Sequence, residues 1–341
     1  MRTLLVTGAA GFIGSNFVRL LLTRGEPVKL VAFDKLTYAG NLANLQDLLE
    51  AHPKKLAFVK GDICDPAAVE RTFDEHGVTE VVNFAAESHV DRSILGSGPF
   101  VQANVVGTQV LLDVSKAKGI QKYLQVSTDE VYGTLPEDKP EEKFTEETPL
   151  APNSPYSATK AAGDCLVRSY FHTFKMPVLT THCSNNYGPY QFPEKAIPLF
   201  VTNLMEGKKI PLYGDGLNVR DWLYVEDHCE AILAVLERGR AGEVYNVGGH
   251  NEYPNLEIVR RVLAELGKPE SLIHYVKDRP GHDRRYAIDA SKIERELGWR
   301  PRHTFESALP LTVRWYLAQP EWLQRVRNGA YRDYYARQYG S

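Results

Sequence analysis

Cysteine is scarce in this chain. Its 341 residues include four, Cys64, Cys165, Cys183 and Cys229. They are scattered and no Cys-x-x-Cys occurs. That argues against a disulfide framework or a zinc site and for a reducing cytoplasm. The histidines show no metal-ligand spacing either, so no metal is expected. No apolar run approaches the ~20 residues that a membrane-spanning helix needs. The N-terminal segment Met1–Gly8 is too short for the apolar core of a signal peptide and reads as a strand. Excess charge of one sign is also missing. Forty Lys and Arg against 43 Asp and Glu leave a formal net charge of −3. This argues against nucleic-acid or membrane-surface binding driven by basic charge. Internal repeats and low-complexity tracts are absent.

What is present is an ordinary globular composition, 43% hydrophobic and 24% charged. The length suits one large or two small domains. Strands are expected at Leu4–Thr7, Val28–Phe33, Leu56–Lys60, Val81–Phe84, Tyr123–Ser127 and Val178–Cys183. Helices are expected at Phe12–Arg24, from Asp65-Pro66 onward, and at Val101–Lys118 and Tyr156–Lys175. Strand–helix alternation at this spacing predicts right-handed βαβ units and a parallel sheet covered on both faces. After about Asn185 the texture becomes richer in Pro, Gly and Tyr. A helix at Asp227–Glu237 and a buried strand at Val244–Val247 read as a return to the first sheet. The expected division is a first domain over 1–185, completed by about 227–248, and a smaller mixed α/β lobe from the rest of 186–341. Glu137–Glu147 reads as an acidic, solvated loop.

Gly8-Ala9-Ala10-Gly11-Phe12-Ile13-Gly14 falls between the first strand and the first helix. Glycines there let the backbone turn tightly and approach a pyrophosphate, and the helix N-terminus supplies free N–H groups. In that position the turn predicts dinucleotide binding and a doubly wound Rossmann-type sheet. Asp34 closes the second strand about 20 residues on. A carboxylate there accepts from ribose hydroxyls and repels a 2′-phosphate, which favours NAD over NADP. Lys35 beside it softens that preference. Asp62 can bond the adenine amino group, with Ile63 packing nearby.

Tyr156 and Lys160 lie four apart on one helical face. A lysine ammonium near a phenol favours the phenolate, so Tyr156 can serve as a base, and Lys160 can hold the nicotinamide ribose. Ser127-Thr128 ends an intervening strand. Asp129 and Glu130 follow it. In a regular strand they would face opposite sides, but past the strand end both can reach the cleft at the carboxyl edge of the sheet. An acid and a base side by side are what a water elimination requires.

Together the glycine turn, Thr128 and the Tyr-x-x-x-Lys pair resemble the extended short-chain dehydrogenase/reductase family over essentially the whole chain. Five further motifs are similar to those of its dTDP-sugar 4,6-dehydratase branch. They are Asp34–Asn41, Ala85–Asp91, Thr128–Gly133, Asn185–Pro189 and Arg220-Asp221-Trp222. Epimerases of this fold typically carry Ser or Ala at the Asp129 and Glu130 positions.

The resemblance implies conversion of dTDP-glucose to dTDP-4-keto-6-deoxyglucose and water. Tyr156 takes the C4 hydroxyl proton, Thr128 bonds the C4 oxygen, Glu130 removes the C5 proton and Asp129 protonates the C6 hydroxyl. It also extends the NAD contacts to Leu36, Thr37, Phe84, Ala85, Ala86, Ala103 and Asn186. For the nucleotide sugar it implies Ser88, Asn185, Lys195 and Ala196 along the sugar-diphosphate path, and Pro211 and Tyr213 at the thymine. Arg220, Asn255, Arg279 and His282 fall at the diphosphate and nucleoside. His89 and Asp91 are read as structural, and His182 as a satisfied core histidine. A homodimer through the helices at Val101–Lys118 and Tyr156–Lys175 is expected from their apolar excess. The alternative activity is NAD-dependent C4 epimerisation of a UDP-sugar, which needs no carboxylate pair.

Overall fold

The computed structural model describes residues 2–327. Among the described residues twelve strands occur in chain order: β1 (Thr3–Thr7), β2 (Lys29–Asp34), β3 (Leu56–Lys60), β4 (Glu80–Asn83), β5 (Lys122–Thr128), β6 (Val178–Cys183), β7 (Asn185–Tyr187), β8 (Ile210–Tyr213), β9 (Val219–Tyr224), β10 (Val244–Val247), β11 (Glu252–Pro254) and β12 (Ile273–Val276). Residues 328–341, assigned above to the second lobe, lie outside the described residues.

Seven strands form one all-parallel sheet in the order β10, β6, β5, β4, β1, β2, β3. The apolar runs explain it: every residue of β1, β4 and β6 is buried, as both faces of a parallel sheet must be. One face packs on the helices Phe12–Thr23 and Val225–Arg238. The other packs on Pro66–His76, Gly107–Ala117 and Pro155–Phe174. Strand order reverses between β1 and β4, which opens a crevice at their carboxyl ends. A second core gathers Ala196–Met205, Asn255–Glu265 and Phe305–Ala318 beside two small sheets, β11-β9-β7 and β12-β8.

Capping residues set the boundaries as their chemistry predicts. Asp65 accepts from the Ala67 and Ala68 amides ahead of Pro66 at the first helical position. Ser154 and Ser157 form a reciprocal cap at the start of Pro155–Phe174. The helix expected over Val101–Lys118 is α-helical only from Gly107, and Val101–Val106 is wound as a π-helix. Asn104 sits in that wide turn. It donates to Glu87 O at 3.0 Å and to Thr159 Oγ1 at 2.9 Å, bonds that hold the widened backbone.

The apolar excess of these helices is mostly interior. Val110, Leu111, Val114, Ala161 and Val167 are buried within the single chain. The acidic loop is also less free than its charges suggest, because Phe144 is buried and bridges to Ile288.

Candidate active site

The crevice at the β1–β4 switch opens into a cleft of about 580 Å³ that runs toward the second lobe. Gly8, Gly11, Phe12, Ile13 and Gly14 line it. Gly8 holds φ +64°, and a Cβ there would sit 2.7 Å from the Ala85 amide nitrogen. A Cβ on Gly14 would sit 2.3 Å from the Gly8 carbonyl oxygen. No side chain caps the helix that Gly11 opens, so its first amides are left for an anion.

At the β2 side, Asp34 accepts from the Ala10 amide at 2.9 Å and the Leu36 amide at 2.7 Å. Burial raises its pKa while those two amides pull the other way. Leu36 itself lies outside the cleft lining and serves through that amide. The Lys35 ammonium is held by Asp62 at 2.6 Å. Thr37, Asp62, Ile63, Phe84, Ala85, Ala86 and Ala103 complete this half. The residues fit NAD: a glycine cradle that any side chain would fill, an uncapped helix end, a carboxylate at the β2 terminus, and a lysine already engaged.

The other half holds Thr128, Asp129, Glu130, Tyr156 and Lys160. β5 ends at Thr128, and Asp129–Tyr132 coils into a single 3-10 turn capped by the Thr128 hydroxyl. That turn is why two neighbouring carboxylates reach one cavity. Burial, then the charges of Glu130 and Asp221, pushes the Asp129 carboxyl well above its usual range. Burial raises Glu130 as well, but the nearby Arg279, Lys195 and Arg220 charges oppose it. Paired carboxylates with divergent surroundings are suited to separate acid and base work.

The Lys160 ammonium donates to the Val126 carbonyl at 2.7 Å, and its pKa is lowered by burial. Burial, then the Glu130 charge, pushes the Tyr156 phenol well above its ordinary value, with the Thr128 hydroxyl opposing. Tyr156 and Lys160 thus line one cleft, with the ammonium anchored on the end of β5.

Ser88, Asn185, Asn186, Lys195 and Ala196 line the cleft toward the second lobe. Lys195 donates to Ser88 O at 2.7 Å, fastening the two lobes across it. Pro211, Tyr213, Arg220, Asn255, Arg279 and His282 are not in the cleft lining. Around them Asp91, read above as structural, organises a second group. Its carboxylate accepts from Tyr213 Oη and from Arg279 Nη1, both at 3.1 Å. The Arg220 guanidinium lies 4.2 Å over the Tyr286 ring and donates to Asp283 O at 2.7 Å. His282 pairs with Asp278 at 2.6 Å, and burial, then the Arg279 and Arg220 charges, pushes its imidazole down to about 4. Pro211 lies in β8, and Asn255 opens the helix Asn255–Glu265.

Sequence reasoning passed over Glu87, Cys183 and Glu194, all of which line the cleft. Glu194 is buried and accepts from Arg92 Nε at 2.9 Å, while that guanidinium stacks 3.9 Å over Tyr38. Its one signal was its place beside Lys195. His182 is buried between Tyr132 Oη (2.6 Å) and Asp164 (3.2 Å).

A family model described as GDP-mannose 4,6 dehydratase matches residues 5–312. The chain belongs to this dehydratase family. Within it, the chain is 56% identical to a dTDP-glucose 4,6-dehydratase of Xanthomonas campestris pv. campestris strain B100, covering 97% of this chain and 98% of that protein. It is 49% identical to a dTDP-glucose 4,6-dehydratase of Shigella flexneri, with 98% of each covered. Among solved structures, the dTDP-glucose 4,6-dehydratase of Bacillus anthracis str. Ames in complex with NAD superposes with a TM-score of 0.89. It shares 52% identity and covers 96% of this chain and 100% of that one. A UDP-glucose 4-epimerase of Thermus thermophilus in complex with NAD reaches 0.85 at 31% identity, over 93% of this chain and 99% of that one.

Proposed function

We propose that the enzyme dehydrates dTDP-glucose to dTDP-4-keto-6-deoxyglucose and water. The observation that carries the reading is the meeting of Asp129 and Glu130 with Tyr156 in one cleft that also contains the glycine turn. A C4 epimerase has no use for a buried acid beside a base.

The Gly8–Gly14 turn holds the pyrophosphate of NAD, Asp34 the adenosine ribose, Asp62 and Ile63 the adenine, and Lys160 the nicotinamide ribose. NAD, when bound, supplies the acceptor for the C4 hydrogen and its later donor to C6. Tyr156 Oη takes the C4 hydroxyl proton, and Thr128 Oγ1 bonds the C4 oxygen. The ketone so formed acidifies C5–H, and Glu130 removes that proton. Asp129 protonates the C6 oxygen, which leaves as water, and Glu130 returns a proton to C5. Ser88, Asn185, Lys195 and Ala196 flank the sugar and diphosphate. Arg279, Arg220, Asn255 and His282 take the diphosphate and nucleoside, with Pro211 and Tyr213 at the base. Arg suits that role because its planar fork matches phosphate oxygens.

In this reading residues 1–185 with 227–248 form the cofactor lobe, and the enzyme works as a homodimer. Val101 and Phe174, on the two helices concerned, stay 42% and 49% exposed. Sedimentation as a monomer at micromolar concentration refutes the dimer. Four free cysteines suit a reducing cytoplasm.

The test of the activity uses dTDP-glucose carrying deuterium at C4. The 4-keto product absorbs in alkali, and its label belongs at C6 of the same molecule. Crossover between mixed labelled and unlabelled substrates, or a C4 epimer in place of the ketone, overturns the reading.

A further inference from the structure

The dehydration proposed above, on which this inference rests, does not hand its protons back to the groups that held them. At C4 the O–H bond breaks and the proton goes to Tyr156 Oη. At C5 Glu130 takes one proton and returns one. At C6 the C–O bond breaks, and the departing oxygen takes a proton from Asp129. The electron pair removed at C4 comes back at C6, so no outside oxidant is needed. Each turnover therefore leaves Tyr156 one proton richer and Asp129 one poorer. Another cycle requires a proton to cross from the phenol to the carboxylate.

Bulk water has little access to either group, since Asp129 is 1% and Tyr156 8% exposed even without substrate. Thr128 stands between them. Its hydroxyl donates to Asp129 Oδ1 at 3.3 Å. Thr128 and Tyr156 line the same cleft, and the threonine hydroxyl opposes the rise of the phenol's pKa. The Glu130 amide donates to Thr128 Oγ1 at 3.3 Å, so the 3-10 turn pins the oxygen in place. Asp129 Oδ2 is buried with no protein hydrogen-bond partner, which leaves it for the substrate. Lys160, the other candidate carrier, is turned toward the Val126 carbonyl.

We propose that Thr128 is the relay that resets the site between turnovers. The Tyr156 O–H bond breaks as its proton joins Thr128 Oγ1. The original Thr128 hydroxyl proton leaves for Asp129 Oδ1, a half-turn of the carboxylic acid group then carries it to the position facing the substrate, and no net charge stays on the threonine. The hydroxyl already donates in that direction.

The test compares Thr128→Val, which keeps the shape without the hydroxyl, with Thr128→Ser, which keeps the hydroxyl. Thr128→Ala replaces the valine variant should that one not fold. Product per site is counted by rapid quench on the NAD-loaded enzyme, and isotope-edited infrared follows the Asp129 carboxylic-acid band in the same sample. Wild type and Thr128→Ser should show equal first and second turnovers, with the band restored after each. Thr128→Val should form its first equivalent slowly, because the C4 contact is lost. Its second turnover should be at least tenfold slower than its first, with Asp129 left ionised. A small acid such as formic acid should speed the later turnovers of this variant alone. Recovery of the Asp129 band in step with product formation in Thr128→Val overturns the relay. A resting enzyme with no protonated Asp129 band, or full dehydration by Asp129→Asn, refutes the acid assignment itself and takes the relay with it.

Discussion

Asp91→Asn isolates the ion pair that holds Arg279. Asp91 is buried, and its side chain meets the Arg279 guanidinium at 3.1 Å. At an effective dielectric of about 20, unit charges 3.1 Å apart attract by about 5 kcal/mol before any correction. Arg279 keeps 20% of its side-chain exposure and the new amide still accepts one hydrogen bond, so the net loss is about 2–3 kcal/mol. At an unfolding entropy of about 2.1 cal/mol/K per residue, the 341-residue chain should lose about 3–4 °C in Tm. Asn keeps one oxygen to accept from Arg279 and turns its amide N–H2 to Tyr213 Oη, which then accepts in place of donating, so the change is chiefly one of charge. If Arg279 receives the diphosphate, saturating dTDP restores a counter-charge and recovers at least half of the loss. Scanning calorimetry of both proteins, with and without dTDP, measures this directly. An equal Tm difference in both conditions refutes the assignment of Arg279 to the diphosphate.

Asp129→Asn and Glu130→Gln should each cut dehydration by ~10²–10⁴-fold yet still develop reduced-nicotinamide absorbance with dTDP-glucose, whereas Tyr156→Phe should suppress that absorbance too. The acid must be protonated to work, so kcat/KM should fall on the alkaline side as Asp129 ionises. The folded value of Asp129 is raised. Its stabilising contribution is therefore complete below about pH 4 and is lost as pH rises through the folded value, so wild type should lose ground to Asp129→Asn in denaturant titrations as pH rises. Acid extraction of the purified protein should yield NAD(H), and NADP as the main dinucleotide contradicts the reading of Asp34. Gly14→Ala should purify without the cofactor, because its Cβ would sit 2.3 Å from the Gly8 oxygen.

The parallel sheet and the chemistry at its edge were legible because both are written locally. β3 and β6 match the runs read from sequence residue for residue. Asp129 and Glu130 could be placed in one cleft because a strand ending at Thr128 releases its alternation. Less legible were features made by tertiary contact. Tyr156 and Lys160 share a helical face, but the orientation of the ammonium depends on a Val126 carbonyl that spacing does not reveal. Asp91 resembled an ordinary buried acid until Tyr213 and Arg279, more than 100 residues away, closed on it. Phe144 was the one apolar signal inside the acidic loop, and its partner Ile288 is equally remote. The π-helical turn at Val101–Val106 follows from the bonds of Asn104 to Glu87 and Thr159, which no periodicity records.

The return of β10 to the edge of the large sheet bears on how such a chain can be recombined. The core around β1 is completed by Val225, Ile232, Leu236, Tyr245, Ile293 and Trp299, all encoded after the first half of the second lobe. A gene cut after residue 185 would thus remove an edge strand and the helix Val225–Arg238, exposing the apolar face they cover. Neither lobe can be transplanted as one contiguous cassette. New sugar specificity has to come by substitution within the second lobe, or by exchange of at least two separate stretches at once.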